Sequence, residues 1–477
     1  MSDLSFFWHD YETFGRVPRR DRPAQFAGLR TDAELNEIGE PVMIYCQPPL
    51  DMLPDPESCL LTGILPQHCQ QHGLPEHQFA ARIEAALAQP GTVGVGYNTI
   101  RFDDEVTRHL FWRNLYDPYA REWQNGCGRW DLLDTVRCAY ALRPEGIEWP
   151  KHDDGRISFK LEHLSVANGL LHEAAHDALS DVRATIALAR LIRERHPKLF
   201  EFCLQLRKKE AVWQQIGSGK PFLHISGMYP AERGCLGLVW PLAPHPTNKN
   251  ELIVWDLAAD PAELADLSAA QVRERMFVRR EDLPEGTERL PIKTIHINKS
   301  PVVIGNLKTL SPAMAERWQL DIAQGLRHAE TAQRVAATTM GLWADVYARE
   351  PRAEPADVDE DLYGGFLGQA DRRTLDRLRS LPPEQLVSKR PAFEDERLEE
   401  LLFRYRARNF ASLLDADDQD RWQRLRHARL HEGAGGLTTL GQFFDRIDAL
   451  NEDADERGQE ILGELYDWAE QIAPESD

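Results

Sequence analysis

Two acidic residues sit one position apart in the aromatic stretch FFWHDYETFG near the start of the chain. If this stretch is a β-strand, Asp10 and Glu12 point to the same face, since side chains alternate along a strand. Two neighbouring carboxylates repel unless a cation lies between them, and Mg²⁺ prefers carboxylate oxygens. The pair therefore predicts a metal site, with the alternative that both acids simply reach water at a strand end.

A second candidate acid occurs in GYNTIRFDDEV. A short apolar run and a turn at Tyr97-Asn98 are predicted to deliver Asp103 or Asp104 to the start of a helix that continues through EVTRHLFWRN. The alternative is that one of these acids only caps that helix. Spacing alone does not choose between the two.

A third group of polar residues is found in AAHDALSDVRATIAL. Asp177 can be the N-cap of a helix starting near Ala178, with His176 just before it and Asp181 about one turn inside. Asp181 then borders an apolar stripe, which suggests a function for its carboxylate. For His176, the alternative is a buried histidine with satisfied hydrogen bonds.

The ordered set of D-x-E, a later acid and H-x₄-D resembles the DEDDh family of 3′→5′ exonucleases. Longer stretches are similar to the bacterial exonuclease I family along nearly the whole chain: HDYETFG, DRPAQFAGLRTD, GYNTIRFDDEVTRHLFWRNLYDPY, RWDLLDTVRCAYALRPEGI and HINKSPVV. The resemblance implies an RNase H-like (DnaQ-like) exonuclease domain, then an SH3-like α+β barrel domain, then an all-helical domain.

The resemblance also implies a reaction. It selects Asp103 and makes Asp10, Glu12, Asp103 and Asp181 the ligands of two Mg²⁺ ions, which Mn²⁺ could replace. One ion would activate the attacking water and the other would stabilise the leaving 3′ oxygen, with His176 as the general base. Single-stranded DNA would be degraded to nucleoside 5′-monophosphates, in DNA repair and recombination.

Binding of a single strand needs stacking surfaces and cations. The resemblance implies contacts to DNA from Glu12, Arg108, Tyr119, Trp123, Arg137, Phe159, Lys160, Lys293, His296 and Tyr363. Relatives often have Arg in place of Lys160, so a bidentate phosphate contact would become a point charge here. For each of these residues the alternative is a solvated charge or an aromatic ring packed in a core.

Three regions of different pattern surround these motifs. Residues 1–200 alternate strand-like and helical stretches, as expected for an α/β domain. Residues 201–350 contain short strand candidates separated by Gly, Pro and Asn and closed by a helix near 313–334, which predicts a small β-barrel or a compact α+β domain. The stretch REPRAEPADVDED predicts a linker at about 349–361, and amphipathic stretches after it predict a helical domain within 351–477.

Composition limits the class of protein. The formal charge is −21, but Lys and Arg against Asp and Glu number 21 and 29 in residues 1–200, 18 and 18 in 201–350, and 17 and 30 in 351–477. A local basic groove is compatible with that distribution. Seven cysteines without a CxxC pair, no export signal and no long apolar run predict a cytoplasmic protein that does not cross a membrane.

Partners follow from the resemblance alone. It implies a monomer that binds the acidic C-terminal tail of single-stranded DNA-binding protein, with Lys220 and Arg143 as candidate anchors, while Ser311 and the residues near Gln333 do not supply the expected basic groups. Two other functions are compatible with the motifs: a DEDDh ribonuclease trimming RNA 3′ ends, and a non-catalytic DNA-binding scaffold. The presence of all four acids and the histidine disfavours the scaffold.

Overall fold

The computed structural model describes residues 4–170, 178–217, 219–348 and 357–474. The chain divides into two compact units. The first comprises the described parts of 1–128, 172–183 and 354–477, and the second those of 129–171 and 184–353. His176 and the first part of the predicted linker lie outside the described residues.

The described residues form strands β1 (Ser5–Thr13), β2 (Pro23–Thr31), β3 (Glu37–Tyr45), β4 (Thr92–Gly96), β5 (Gly128–Asp131), β6 (Phe222–Ile225), β7 (Leu236–Pro244), β8 (Glu251–Asp256), β9 (Ile292–His296) and β10 (Val302–Ile304).

The α-helices in the same ranges are α1 (Pro56–Thr62), α2 (Pro66–His72), α3 (Glu76–Leu87), α4 (Asp103–Arg113), α5 (Leu132–Leu142), α6 (Leu161–Ala167), α7 (Ala178–Arg195), α8 (Pro197–Gln205), α9 (Lys209–Ile216), α10 (Ala269–Phe277), α11 (Pro312–Arg317), α12 (Ile322–Thr338), α13 (Leu342–Val346), α14 (Gln369–Arg379), α15 (Pro383–Leu386), α16 (Arg397–Phe410), α17 (Ala416–Glu432), α18 (Leu440–Asn451) and α19 (Glu456–Ile472). No helix in the described ranges is long and apolar enough to cross a membrane.

Strand β1 is central among four strands of the first unit, which have the order β3-β2-β1-β4. It pairs antiparallel with β2 and parallel with β4, and its aromatic residues are buried. Trp8 is fully buried, and its indole N–H donates to Thr31 Oγ1 at 2.9 Å. The predicted first strand is confirmed, and burial of its apolar residues fixes the register that sets the direction of Asp10 and Glu12.

The second unit contains an antiparallel sheet with the order β10-β6-β7-β8-β9. Its strands occupy the predicted segments between Gly, Pro and Asn residues, and helix α12 packs on β7. The predicted compact α+β arrangement of this region is confirmed.

Helices α16 to α19 lie within the region where amphipathic stretches predict a helical domain, and they confirm its helical character. Asp415, Thr439 and Asp455 are N-caps of α17, α18 and α19, and each side chain accepts a hydrogen bond from a backbone N–H of the first turn. In the core of the first unit, Phe443, Leu462 and Trp468 of these helices pack with Phe14, Cys59 and Cys69. All seven cysteines are free thiols.

A buried network of Arg and Asp side chains also joins early and late segments of the first unit. Asp51 is fully buried and accepts hydrogen bonds from Arg408 and Arg429, both at 2.8 Å. Arg408 also contacts Asp359 at 2.6 Å, and Asp359 accepts from Arg22 at 3.0 Å. Although burial alone would raise the pKa of Asp51, the guanidinium groups of Arg408 and Arg429 hold it well below its ordinary value.

We predict that Asp51→Asn lowers the free energy of unfolding by about 3–5 kcal/mol, because it leaves buried guanidinium charge uncompensated. Because the folded-state pKa is depressed, the stabilisation is complete above the unfolded-state value of about 3.9 and is lost as the pH falls through the folded-state value. Urea unfolding of wild type and Asp51→Asn at neutral and acidic pH measures the difference in free energy of unfolding, which should shrink as the pH falls.

The matched control is Asp376→Asn, whose carboxylate is 66% exposed and pairs with Arg379 on the same helix. That exposed pair should contribute less than about 1 kcal/mol. Equal unfolding midpoints for wild type and Asp51→Asn would contradict a stabilising role for the buried network.

Candidate active site

Strand β1 delivers the first two acids at the point where its parallel neighbour ends. Residues Ser5 to Trp8 pair with β4, whose last residue is Gly96. A Cβ at Gly96 would lie 2.9 Å from His9 O, so glycine permits the chain to turn closely beside β1. Asp10 and Glu12 follow beyond this pairing and are partly buried.

Asp103 is the first residue of α4 and is 3% exposed. The predicted turn before it is confirmed, and Asn98 adopts a left-handed conformation there, with φ of 63°. The Asp103 carboxylate accepts a hydrogen bond from the Tyr11 N–H at 3.1 Å. This contact places it against the strand segment that carries Asp10 and Glu12.

Asp104 points elsewhere. Its carboxylate is fully buried and accepts a hydrogen bond from Arg121 at 2.5 Å, in an ion pair that is 1% exposed on both sides. Neither acid caps the helix, because the N-cap is Phe102 and makes no side-chain cap. The alternative that one of them is a simple cap is therefore wrong.

Asp181 lies in the first turn of α7, which begins at Ala178 as predicted. The Ala178 N–H donates to Gln25 Oε1 at 3.4 Å, which connects the start of this helix to β2. Carboxylate oxygens of Asp10, Glu12 and Asp181 all lie within 4.8 Å of one another. Three acids that are remote in sequence therefore meet at ligand distance, with Asp103 adjacent.

The electrostatics of this cluster are unfavourable without a cation. Burial raises the pKa of Asp10 well above its ordinary value, and repulsion from Asp103, Glu12 and Asp181 raises it further. Oxygen donors at this spacing suit Mg²⁺ or Mn²⁺, which prefer carboxylates to softer ligands. The residues present therefore fit a divalent metal centre.

The predicted DNA contacts in the first unit gather around Arg108 and two tyrosines. Arg108 is 5% exposed and donates to Glu122 at 2.7 and 2.8 Å and to Glu105 at 2.8 Å. Its guanidinium lies 5.2 Å from the Tyr119 ring and donates to the Tyr363 hydroxyl at 3.0 Å. Arg108 is thus held between two carboxylates and positions two aromatic rings.

Exposed aromatic rings accompany this group. Trp123 is 63% exposed and Tyr363 is 57% exposed, while the Tyr363 hydroxyl donates to Glu105 at 2.5 Å. Phe366, which the sequence analysis missed, is 85% exposed, and its ring centre lies 6.0 Å from that of Tyr119. Phe366 and Tyr119, with the exposed Tyr363 near the same Arg108, form an aromatic patch of the kind found at contact surfaces. The place of Phe366 in the sequence YGGF, after Tyr363 and two glycines, was the available signal.

Arg137 and Phe159 come together in the second unit. The Arg137 guanidinium lies 5.8 Å from the Phe159 ring and donates to Asp134 at 2.6 Å. A Cβ at Gly227 would lie 2.7 Å from the Arg137 guanidinium carbon, so the glycine leaves room for the observed position of this side chain. Both residues line a cavity of about 710 Å³. Lys160 is mostly exposed, 3.5 Å from Glu162.

Lys293 and His296 lie on β9 in the same unit. The Lys293 ammonium group donates to Met228 O at 3.0 Å and lies 4.7 Å from the Tyr229 ring centre. His296 Nδ1 is 3.4 Å from Glu251. The candidate partner anchors lie here too: Lys220 is exposed, and Arg143 donates to Thr309 O at 3.4 Å.

Comparison with known families covers almost the whole chain. Three family descriptions match: "Exonuclease" over residues 7–189, "Exonuclease I SH3-like domain" over 207–349 and "Exonuclease I C-terminal domain" over 356–472. Together with the observed sheets and helices, these matches confirm the predicted fold class.

Individual relatives from the same family are similar to this chain over nearly its whole length. The exodeoxyribonuclease I of Haemophilus influenzae is 46% identical over 91% of this chain and 92% of its own. The structure of exonuclease I from Methylocaldum szegediense is 49% identical, with a TM-score of 0.94 and coverage of 98% and 99%. Escherichia coli exonuclease I, solved with a dA16 oligonucleotide, is 42% identical, with a TM-score of 0.93 and coverage of 98% and 100%.

A further solved structure is described as an SSB/exonuclease I complex with an inhibitor. It is 41% identical to this chain, with a TM-score of 0.89 and coverage of 99% and 100%.

We predict that Asp10→Asn stabilises the metal-free protein, because it removes one charge from a cluster of like charges. Two charges about 4 Å apart interact by about 1–4 kcal/mol at effective dielectric constants between water and a protein surface. The urea unfolding midpoint in EDTA should therefore rise relative to wild type. Added Mg²⁺ should stabilise wild type more than the variant, and a lower midpoint for the variant in EDTA would contradict the proposed repulsion.

Proposed function

The chain belongs to the exonuclease I family, and we propose that it removes nucleotides from the 3′ end of single-stranded DNA with Mg²⁺ as its cofactor. The observation that carries this proposal is the meeting of Asp10, Glu12 and Asp181 oxygens within 4.8 Å, with Asp103 beside them. A cluster of this kind binds a divalent metal and leaves positions for water and a phosphate.

Each acid has a distinct way of being held. Asp10 and Glu12 are fixed by the register of β1, Asp181 by the first turn of α7, and Asp103 by the Tyr11 N–H. When bound, divalent metal ions would supply Lewis-acid activation of the attacking water and would stabilise charge on the leaving oxygen. The four carboxylates are the residues that would hold these ions beside the scissile phosphate.

We assign the general base to His176, on the H-x₄-D pattern that it forms with Asp181. Histidine suits this role because its ordinary pKa lies near neutrality, so it can take a proton from the attacking water. The expected product is a nucleoside 5′-monophosphate, since the bond to the 3′ oxygen is the one that breaks.

The strand would be held by stacking as well as by charge. Tyr119, Trp123, Tyr363 and Phe366 present aromatic surfaces in the first unit, and each stacked base contributes about 1–3 kcal/mol. In the second unit, Arg137, Phe159, Lys160, Lys293 and His296 supply cations and a ring. Stacking is tolerant of sequence, as expected for an enzyme that removes every nucleotide in turn.

A protein partner fits the same activity. Because a related exonuclease I is solved in complex with SSB, we propose that this chain also binds single-stranded DNA-binding protein, through an acidic tail. Lys220 and Arg143 are the proposed anchors, since cations are needed to pair with carboxylates.

We predict that the full chain releases mononucleotides from a labelled single strand in Mg²⁺ but not in EDTA. Asp181→Asn should lower turnover about a thousandfold or more, since removal of a metal ligand loses several kcal/mol of transition-state stabilisation. Asp376→Asn is the matched control and should keep wild-type turnover. An RNA oligomer of the same sequence tests the alternative substrate.

The metal mechanism would be contradicted if wild type cleaved as fast in EDTA as in Mg²⁺. It would also be contradicted if Asp181→Asn cleaved as fast as wild type in Mg²⁺. Faster degradation of RNA than of DNA would instead assign the chain to RNA trimming.

We predict that Phe366→Ala raises the Kd for single-stranded DNA about five- to 150-fold, the equivalent of one lost stacking contact of 1–3 kcal/mol. Fluorescence anisotropy in EDTA measures binding without cleavage. Phe277→Ala is the control, because that ring is also exposed, at 53%, but lies in α10 of the second unit. The salt dependence of binding should not change, since no charge is removed. An unchanged Kd for Phe366→Ala would exclude a stacking role.

A further inference from the structure

The face of β1 opposite to the acids makes polar contacts with α4. Tyr11 lies between Asp10 and Glu12 in sequence, so its side chain points to the other face of the strand. The ring is 4% exposed and packs 4.8 Å from the Phe26 ring. Its hydroxyl lies 3.0 Å from Thr107 Oγ1, one turn after Asp103 on α4.

The direction of these hydrogen bonds follows from the number of protons available. Thr107 is fully buried and donates its single hydroxyl proton to Asp103 O at 2.8 Å. Thr107 Oγ1 must therefore accept from Tyr11, whose hydroxyl is the donor. A chain of two hydrogen bonds thus runs from the Tyr11 ring to the backbone of Asp103.

The backbone of Tyr11 makes the second connection. Strand β4 pairs with β1 only as far as Trp8, so the Tyr11 N–H lies beyond that pairing and donates to Asp103 Oδ1 instead, at 3.1 Å. Tyr11 therefore contacts both the carboxylate and, through Thr107, the carbonyl oxygen of the same aspartate.

These contacts oppose a repulsion. The Asp103 carboxylate accepts the N–H of Tyr11, which lies between Asp10 and Glu12 on β1, so three acidic side chains belong to adjoining backbone segments. An unrestrained first turn of α4 would relax away from β1, because separation of the two carboxylates lowers their repulsion. Two contacts from one residue of β1 prevent this movement.

We propose that Tyr11 is a positioning residue, which through its N–H and its hydroxyl bond to Thr107 holds the Asp103 carboxylate beside the β1 acids. The inference rests on the proposed function, because it concerns the geometry of that metal centre. It assigns the tyrosine hydroxyl a role in turnover although the hydroxyl touches neither substrate nor metal.

The first test is Tyr11→Phe, which removes only the hydroxyl and keeps the ring packing and the backbone N–H. Turnover should fall about ten- to a hundredfold, since small displacements of reacting groups have effects of this size. The KM for the oligonucleotide should stay unchanged, because no strand contact is lost. Tyr405→Phe is the matched control, since that tyrosine is also buried, at 5% exposure, and lies in α16.

Substitutions at Thr107 test the same hydrogen bond from its other end. Thr107→Ser keeps the acceptor and should keep most of the turnover, whereas Thr107→Val removes it and should match Tyr11→Phe. The double variant should be no slower than either single one, because both remove the same bond. These four proteins keep the inference testable even if one of them folds poorly.

A readout independent of catalysis is the stabilisation by metal. Mg²⁺ that binds only the folded protein raises the unfolding temperature according to its affinity. Tyr11→Phe and Thr107→Val should therefore gain less from a given Mg²⁺ concentration than wild type and Tyr405→Phe, while their unfolding temperatures in EDTA stay close to wild type.

Three results would overturn the inference. The first is wild-type turnover and wild-type metal stabilisation in Tyr11→Phe, and the second is independent, additive losses in the double variant. The third is a higher KM for the oligonucleotide in Tyr11→Phe with unchanged turnover. If wild type itself releases no mononucleotides in Mg²⁺, the proposed function fails instead, and the two failures are distinguished by that wild-type assay.

Discussion

The carboxylates at the end of β1 repel one another, and the first unit must hold the elements that carry them together against this repulsion. Asp10, Glu12 and Asp181 offer oxygens within 4.8 Å of one another, and Asp103 stands beside them. Charges this close are tolerated only if the backbone elements that carry them are held by other interactions. A metal ion would relieve the repulsion, but the fold must first bring the acids together.

Two kinds of interaction do this. The aromatic residues of β1 are buried in a sheet whose register leaves no freedom for the two acids. Helix α4 is held by a buried ion pair, Asp104 with Arg121, and by the hydrogen bonds of Tyr11 and Thr107. Farther away, Arg408 and Arg429 surround Asp51 and attach helices α16 and α17 to the early part of the chain. The stabilisation from packing and from ion pairs elsewhere thus offsets the electrostatic repulsion at the site.

Much of this arrangement could be predicted from local sequence. The common face of Asp10 and Glu12 follows from strand alternation, and the start of α7 near Ala178 was predicted from Asp177 as a candidate N-cap. Local spacing could not choose between Asp103 and Asp104, because both lie in one helical turn, and only the family resemblance selected Asp103. The choice depends on Arg121, which is 17 residues away in sequence and takes Asp104 out of the site.

Contacts between residues far apart in sequence account for the other features that local patterns did not predict. The sequence predicts Arg108 as a DNA contact or a solvated charge. In the structure it forms ion pairs with Glu105 and Glu122 and a hydrogen bond with Tyr363, which is 255 residues away in sequence. Phe366 belongs to no catalytic motif, and its place after Tyr363 and two glycines became informative only with its high exposure in the structure. Amphipathic periodicity predicts the last four helices. Their packing with Phe14 and Cys59 depends on contacts between segments far apart in sequence, which periodicity does not reveal.

We propose that the carboxylates at the end of β1 hold divalent metal ions. Crystals of the full chain soaked in Mn²⁺, with data collected near the manganese absorption edge, would locate such ions. We expect anomalous peaks bounded by Asp10, Glu12, Asp103 and Asp181. Peaks at other carboxylates with none at Asp10 would contradict this proposal.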